Sequence, residues 1–164
     1  MRYLLDANVF IEAKNRYYAF DICPGFWDWM DHVVTGDVGT VTKVLDEIAE
    51  GTDELATWAN GHKSGNLYLE ISDTATQQRL SEITAAVQAG DYKPAAKAKF
   101  LAGADPWLIA KAKVLGATVV THEVPAPLSK IRVPIPNICD AFGVAYANTF
   151  DTLRVYSAAF VLKA

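Results

Sequence analysis

The first dozen residues constrain the fold most. An apolar run, Tyr3-Leu4-Leu5, ends in Asp6 and continues through Asn8 into Val9-Phe10-Ile11. A run this short reads as a buried strand, with Asp6 at its carboxyl end. Open parallel sheets bind their ligands along that edge. Asp6 is then either a site acid, ordered by a hydrogen bond from Asn8, or the cap of the helix that follows. The stretch leaves no room for a signal-peptide core.

A second short apolar run, Ala117-Thr118-Val119-Val120-Thr121, puts Thr121-His122-Glu123 in the same topological position as Asp6. Between the two runs, Val38, Thr40, Val41 and Thr42 form a strand or its exit, leading into Val44-Leu45-Asp46-Glu47-Ile48. Val44, Leu45 and Ile48 suit a buried helical stripe. Asp46 and Glu47 point about 100° apart on such a helix, so at least one is expected off the solvent face. The stretch Ala104 to Gly116 reads as a further helix, with Pro106 at its first position and Gly116 at its end. Its expected buried stripe is Leu108, Ile109, Ala112 and Leu115. Asp105 at the helix start caps backbone donors or faces a cation. Strands alternating with helices predict one α/β domain over residues 1–164, with a mainly parallel sheet.

The remaining segments carry weaker signals. Pro24 opens a helix with Phe26, Trp27 and Met30 on one face. Ahead of it, Lys14-Asn15-Arg16-Tyr17-Tyr18 and Phe20 offer RNA stacking and phosphate contact, or a loop packed on the first helix. Asn60 to Gly65 reads as a turn or mobile loop carrying His62 and Lys63. A helix after Ser72-Asp73 carries Leu80, Ile83 and Val87, ends near Gly90 and is expected at the periphery. Lys93, Lys97 and Lys99 make the densest positive cluster, either a solvated helix face or a steering patch for an anion. The segment from Phe150 through Leu153 and Tyr156 to Ala159 fits a terminal helix. Trp27, Trp29 and Trp58 fit core packing or a dimer or other partner surface.

The formal net charge of -4 gives no whole-molecule case for binding nucleic acid or an anionic membrane. A basic rim around an acidic pocket is invisible to such a count. Cys23 and Cys139 have no metal-ligand spacing and are expected as free, buried thiols in a cytoplasmic protein. No apolar run approaches the length of a membrane span.

Asp6, Glu47, Asp105 and Glu123 are distant in sequence, yet three fall at element ends and Glu47 can reach the same edge. Carboxylates gathered together repel unless protons or cations compensate. Their oxygens suit Mg²⁺ or Mn²⁺, and no Cys/His set supports structural zinc. Helix caps and surface acids explain each residue separately.

Four segments in order resemble the motifs of PIN-domain proteins: Leu4-Leu5-Asp6-Ala7-Asn8-Val9-Phe10-Ile11, Val44-Leu45-Asp46-Glu47-Ile48, Ala104-Asp105-Pro106-Trp107-Leu108-Ile109-Ala110 and Val120-Thr121-His122-Glu123. Asn137-Ile138-Cys139-Asp140 further resembles a PIN-like bacterial subfamily. The resemblance implies a three-layer α/β/α domain with a central, mainly parallel sheet. It implies metal-dependent cleavage of RNA, as in VapC-like ribonuclease toxins, with Mg²⁺ or Mn²⁺ as cofactor, an antitoxin partner and a homodimer. The family's acidic positions match Asp6, Glu47, Asp105 and Glu123, as catalytic residues and metal ligands; Asn8 and Thr121 match its polar supports. Glu123 stands where the family more often has Asp. Asp140 is an additional ligand or a helix cap. Lys63, Lys111, Lys130 and Arg132 are the expected phosphate contacts. The alternative is a noncatalytic PIN-like module that binds nucleic acid or protein.

Overall fold

The computed structural model describes residues 2–34 and 36–161. Five strands form one wholly parallel sheet: β1 (Tyr3–Leu5), β2 (Val38–Val41), β3 (Tyr68–Leu69), β4 (Thr118–Val120) and β5 (Tyr146–Ala147), in the order β3-β2-β1-β4-β5. Tyr3 pairs with Val38 on one side and Thr118 on the other, so β1 is central. The chain extends the sheet from β1 through β2 to β3, then crosses back and places β4 on the opposite side of β1. Such a reversal opens a crevice at the carboxyl ends of the two strands that flank it. Asp6 follows β1 and Thr121 follows β4, which puts both at that crevice.

Burial explains the strand composition. Leu4, Leu5, Val119 and Val120 are buried, as are all four residues of β2, because helices cover both faces of the sheet. Thr40 is the polar exception, and its hydroxyl donates to the Leu5 carbonyl. The helices are α1 (Ala7–Glu12), α2 (Pro24–Val33), α3 (Thr42–Ala49), α4 (Glu54–Gly61), α5 (Thr74–Ala89), α6 (Pro94–Ala102), α7 (Asp105–Leu115), α8 (Ile135–Phe142) and α9 (Thr149–Val155). Helix α7 packs on β1, β2 and β4 and carries α5, α6 and α8; α1, α3 and α4 form a second packed group. The result is a three-layer α/β/α, PIN-like architecture.

Local chemistry sets the element ends. Asp53 and Asp73 cap α4 and α5 by accepting the N–H of Ala56 and Thr76. Gly116 ends α7 in the left-handed region at φ +62°, where a side chain would be strained. The apolar stripe of α7 ends one turn early: Leu108, Ile109 and Ala112 are buried, whereas Leu115 is 42% exposed beside that cap. Asp46 and Glu47 are both exposed, and Asp46 pairs with Lys43 at 3.5 Å. Beyond α1 the chain widens into a π-helical turn, Ala13–Tyr17, before α2.

The aromatic residues between α1 and α2 divide. Tyr18 stacks on buried Phe26 and Phe20 stacks on buried Trp27, whose indole N–H donates to the Tyr18 carbonyl. Trp58 packs against Trp27 and Phe10. Tyr17 meets the edge of this cluster through Tyr18, ring centroids 6.3 Å apart, and is half exposed. Cys139 is buried and Cys23 half-buried, both as free thiols. Among the described residues no helix is long and apolar enough to cross a membrane.

Candidate active site

A cavity of about 420 Å³ opens at the crevice between β1 and β4. Its polar lining comprises Asp6, Asn8, Glu47, Lys99, Asp105, Glu123 and Arg132. The four acids read from the sequence therefore meet in one place, although they come from β1, α3, α7 and the segment after β4.

Each acid is held differently. Asp6 is 1% exposed and sits at the N-cap position of α1, yet its carboxylate makes no capping hydrogen bond. It accepts instead from the Thr121 hydroxyl at 3.0 Å and the Asn8 amide at 3.4 Å. Thr121 is committed on both sides, since its Oγ1 also accepts the Glu123 N–H at 3.2 Å. Asp105 is the first residue of α7, beyond Ala104 at the cap position, and is half-buried. Glu47 reaches across to α7, where Oε1 accepts the Ala104 N–H at 2.8 Å. Glu123 does the same for α8, with Oε2 accepting the Ile135 N–H at 2.7 Å. Two unsatisfied helix-start donors are thus answered by site acids.

The electrostatics follow from this crowding. Burial pushes the Asp6 carboxyl up to about 6; the Glu123 charge adds to this, and the Thr121 and Asn8 hydrogen bonds oppose it. Burial likewise pushes Asp105 up to about 8, reinforced by the charges of Asp6, Glu123 and Glu47 and only partly offset by Lys99. Carboxylates shifted this way hold protons near neutral pH unless a cation replaces them. The donors are all carboxylate oxygens, which match Mg²⁺ or Mn²⁺ rather than zinc. Among the described residues, no three Asp, Glu, His or Cys side chains form a ready-made metal cage. Glu47 and Glu123 each have one carboxylate oxygen engaged by a backbone N–H.

The cationic lining differs from the sequence expectation. Arg132 lines the cavity, and neither it nor Lys99 makes an ion pair among the described residues. Lys63, Lys111 and Lys130 do not line it. Lys111 pairs with Asp73 at 2.7 Å, tying α7 to the start of α5, and Lys130 pairs with Asp91 at 2.7 Å. Lys63 lies exposed in the turn after α4. Asp140 is exposed on α8, near Tyr146 rather than at the cavity. The sequence marked Lys99 only as part of a positive cluster. Lys99 is on α6 and Asp105 on α7, so only the turn between the two helices brings them to one cavity.

The family described as Domain of unknown function (DUF4411) matches residues 3–160. The chain belongs to the DUF4411 family. No curated protein gives a significant match. Two solved structures share the fold of this DUF4411 chain at low identity. VapBC2 from Rickettsia felis, bound to a DNA fragment from its promoter, is 12% identical with a TM-score of 0.56. FitAcB from Neisseria gonorrhoeae is 19% identical with a TM-score of 0.52. Each superposition covers 90% of this chain and 98% of the other.

Proposed function

We propose that this DUF4411 chain is a divalent-metal-dependent endoribonuclease, acting as the toxin of a toxin–antitoxin pair. The observation that carries the reading is the pair Asp6 and Asp105, held at the β1/β4 crevice and each raised toward or above neutrality by burial and neighbouring charge. Asp6 and Asp105 would hold Mg²⁺ or Mn²⁺, with Glu47 and Glu123 contributing their second oxygens directly or through water. Such a cation supplies Lewis acidity toward a phosphodiester and its attacking water. The chain's own residues do the positioning. Thr121 and Asn8 fix the Asp6 carboxylate, the backbone tethers fix Glu47 and Glu123, and Lys99 and Arg132 offer phosphate contacts at the rim.

The resemblance to PIN-domain toxins supports RNA as substrate and an antitoxin as partner, and the fold shared with VapBC2 and FitAcB supports the same reading. A homodimer belongs to it and is checked by native mass measurement. The engagement of Glu47 and Glu123 with backbone donors favours one second reading, a noncatalytic PIN-like module that binds nucleic acid or protein.

Labelled single-stranded RNA, structured RNA and DNA are incubated with the parent and Asp105→Asn in EDTA, Mg²⁺ or Mn²⁺. The expected result is RNA cleavage that requires metal and falls at least about 100-fold in the variant, the scale of losing one strong charge contact. Equal cleavage by both proteins would overturn the assignment. Intact RNA bound by metal-loaded parent would favour the binding module.

A further inference from the structure

A second cavity, of about 370 Å³, adjoins the acidic one and is lined by Asn8, Glu12, Arg16, Tyr17, His122, Glu123, Val124 and Arg132. Asn8, Glu123 and Arg132 line both. Its character is different: aromatic rings and two arginines join Glu12 and Glu123 in the lining. Tyr17 is 49% exposed, lies 5.9 Å from the His122 ring at a 38° tilt, and meets Phe150 edge-on at 5.7 Å. His122 is fixed by a 3.1 Å hydrogen bond between its Nε2 and the Thr149 hydroxyl. Arg16 is anchored to Glu12 at 2.9 Å with its side chain largely exposed.

We propose that this second cavity is a nucleotide subsite, in which an unpaired RNA base stacks on Tyr17 while Arg132 holds the phosphate between it and the acidic centre. The inference rests on the nuclease reading for its substrate class. Three independent features support it. Tyr18 and Phe20, next in the chain, bury their faces on Phe26 and Trp27, whereas Tyr17 leaves half its surface to solvent. The π-helical turn Ala13–Tyr17 sets Arg16 and Tyr17 apart from the run of α1, and such turns recur at functional sites. Arg132, which makes no ion pair among the described residues, lines both cavities, so a strand crossing from one to the other passes it. A base presents a π-face that stacks on an aromatic side chain, and a single strand presents it without the cost of opening a duplex. A surface aromatic cluster serving only to cover Phe150 would need neither the cavity nor the shared arginine.

The test measures binding separately from cleavage. Fluorescein-labelled oligoadenylate of twelve nucleotides, and an abasic ribose-phosphate chain of the same length, are titrated in Ca²⁺ against the Asp105→Asn protein and the same protein carrying Tyr17→Ala, Tyr17→Trp or Arg132→Ala. Oligoadenylate should bind about 5- to 100-fold more tightly than the abasic chain, the span for one stacked base. Tyr17→Ala should abolish that preference and leave abasic binding unchanged, Tyr17→Trp should keep it, and Arg132→Ala should weaken both probes alike. Because Tyr17 is exposed, its variants should melt with the Asp105→Asn parent, which separates lost stacking from lost folding. Unchanged oligoadenylate preference in Tyr17→Ala would overturn the subsite even if the enzyme cleaves RNA. Equal or tighter binding of oligodeoxyadenylate would overturn RNA as its occupant. Lost preference in Tyr17→Ala alongside an inactive parent would support the subsite while defeating the nuclease reading.

Discussion

Thr121 shows how much of the site depends on one hydroxyl. It donates to the buried Asp6 carboxylate and accepts the Glu123 N–H, so it links the acid after β1 to the acid after β4. Valine has the same shape and neither function. Thr121→Val should therefore destabilise the protein by about 1–3 kcal/mol, the range for leaving a buried polar partner unsatisfied. The cost should be larger at pH 8 than at pH 5. Asp6 titrates near 6, so above that value the lost O–H faced a charged oxygen, and hydrogen bonds to charge are the stronger kind. Urea denaturation of parent and variant at the two pH values checks this. An equal cost at both would mean that Asp6 does not change charge between them.

At the level of elements, α3 and α7 meet through the Glu47 bond to Ala104. Glu47→Gln keeps an oxygen acceptor for that N–H and removes the charge; Glu47→Ala removes both. Gln should melt with the parent, Ala should lose about 1 kcal/mol, and both should lower metal-dependent cleavage about 10–100-fold. Full activity in the Gln variant would leave Glu47 a purely structural tether. That tether also explains what the sequence could and could not convey. The apolar runs of β1, β2 and β4 and the Pro and Gly bounds of α7 were legible because local chemistry dictates them. Strands β3 and β5, two residues each, carry no periodicity and exist because Thr40 and Thr121 offer backbone partners at the sheet edges. Helix α8, with Pro134 at its cap position and Pro136 in its first turn, starts where proline is readily accepted. The four acids were legible as positions on one edge through the family resemblance. The backbone donors that occupy Glu47 and Glu123, and the ion pairs that engage Lys111 and Lys130, are products of tertiary packing and leave no mark on spacing.

The whole molecule holds its acidic centre against charge, and this fixes how stability must vary with pH. An unfolded chain ionises Asp105 near the ordinary carboxyl value of 3.8, whereas the folded protein keeps its proton to about 8. Between those values the folded state binds more protons than the unfolded one. Stability is then fully present below the unfolded value and is lost as pH rises through the folded one. Asp6, raised to about 6, acts in the same direction over the lower part of that window. In EDTA, Asp105→Asn removes an ionisation that the fold resists. The variant should be more stable than the parent at pH 8 by about 2 kcal/mol, discounted for the solvent that a half-buried carboxylate retains, and nearly equal to it at pH 4. Cation binding reverses the order, because a bound dication replaces the missing protons. At a hundred times its dissociation constant, Mg²⁺ or Mn²⁺ should stabilise the parent by about 2.7 kcal/mol. The gain should be greater at pH 8 than at pH 5.5, where protons compete for the same oxygens. Thermal melting of both proteins across pH, with EDTA and with each metal, reads all of this in one series. A metal-free parent whose stability stays flat from pH 4 to pH 8, with no gain in Asp105→Asn, would show that the cavity does not oppose its own charge and would remove the physical ground for a cation there.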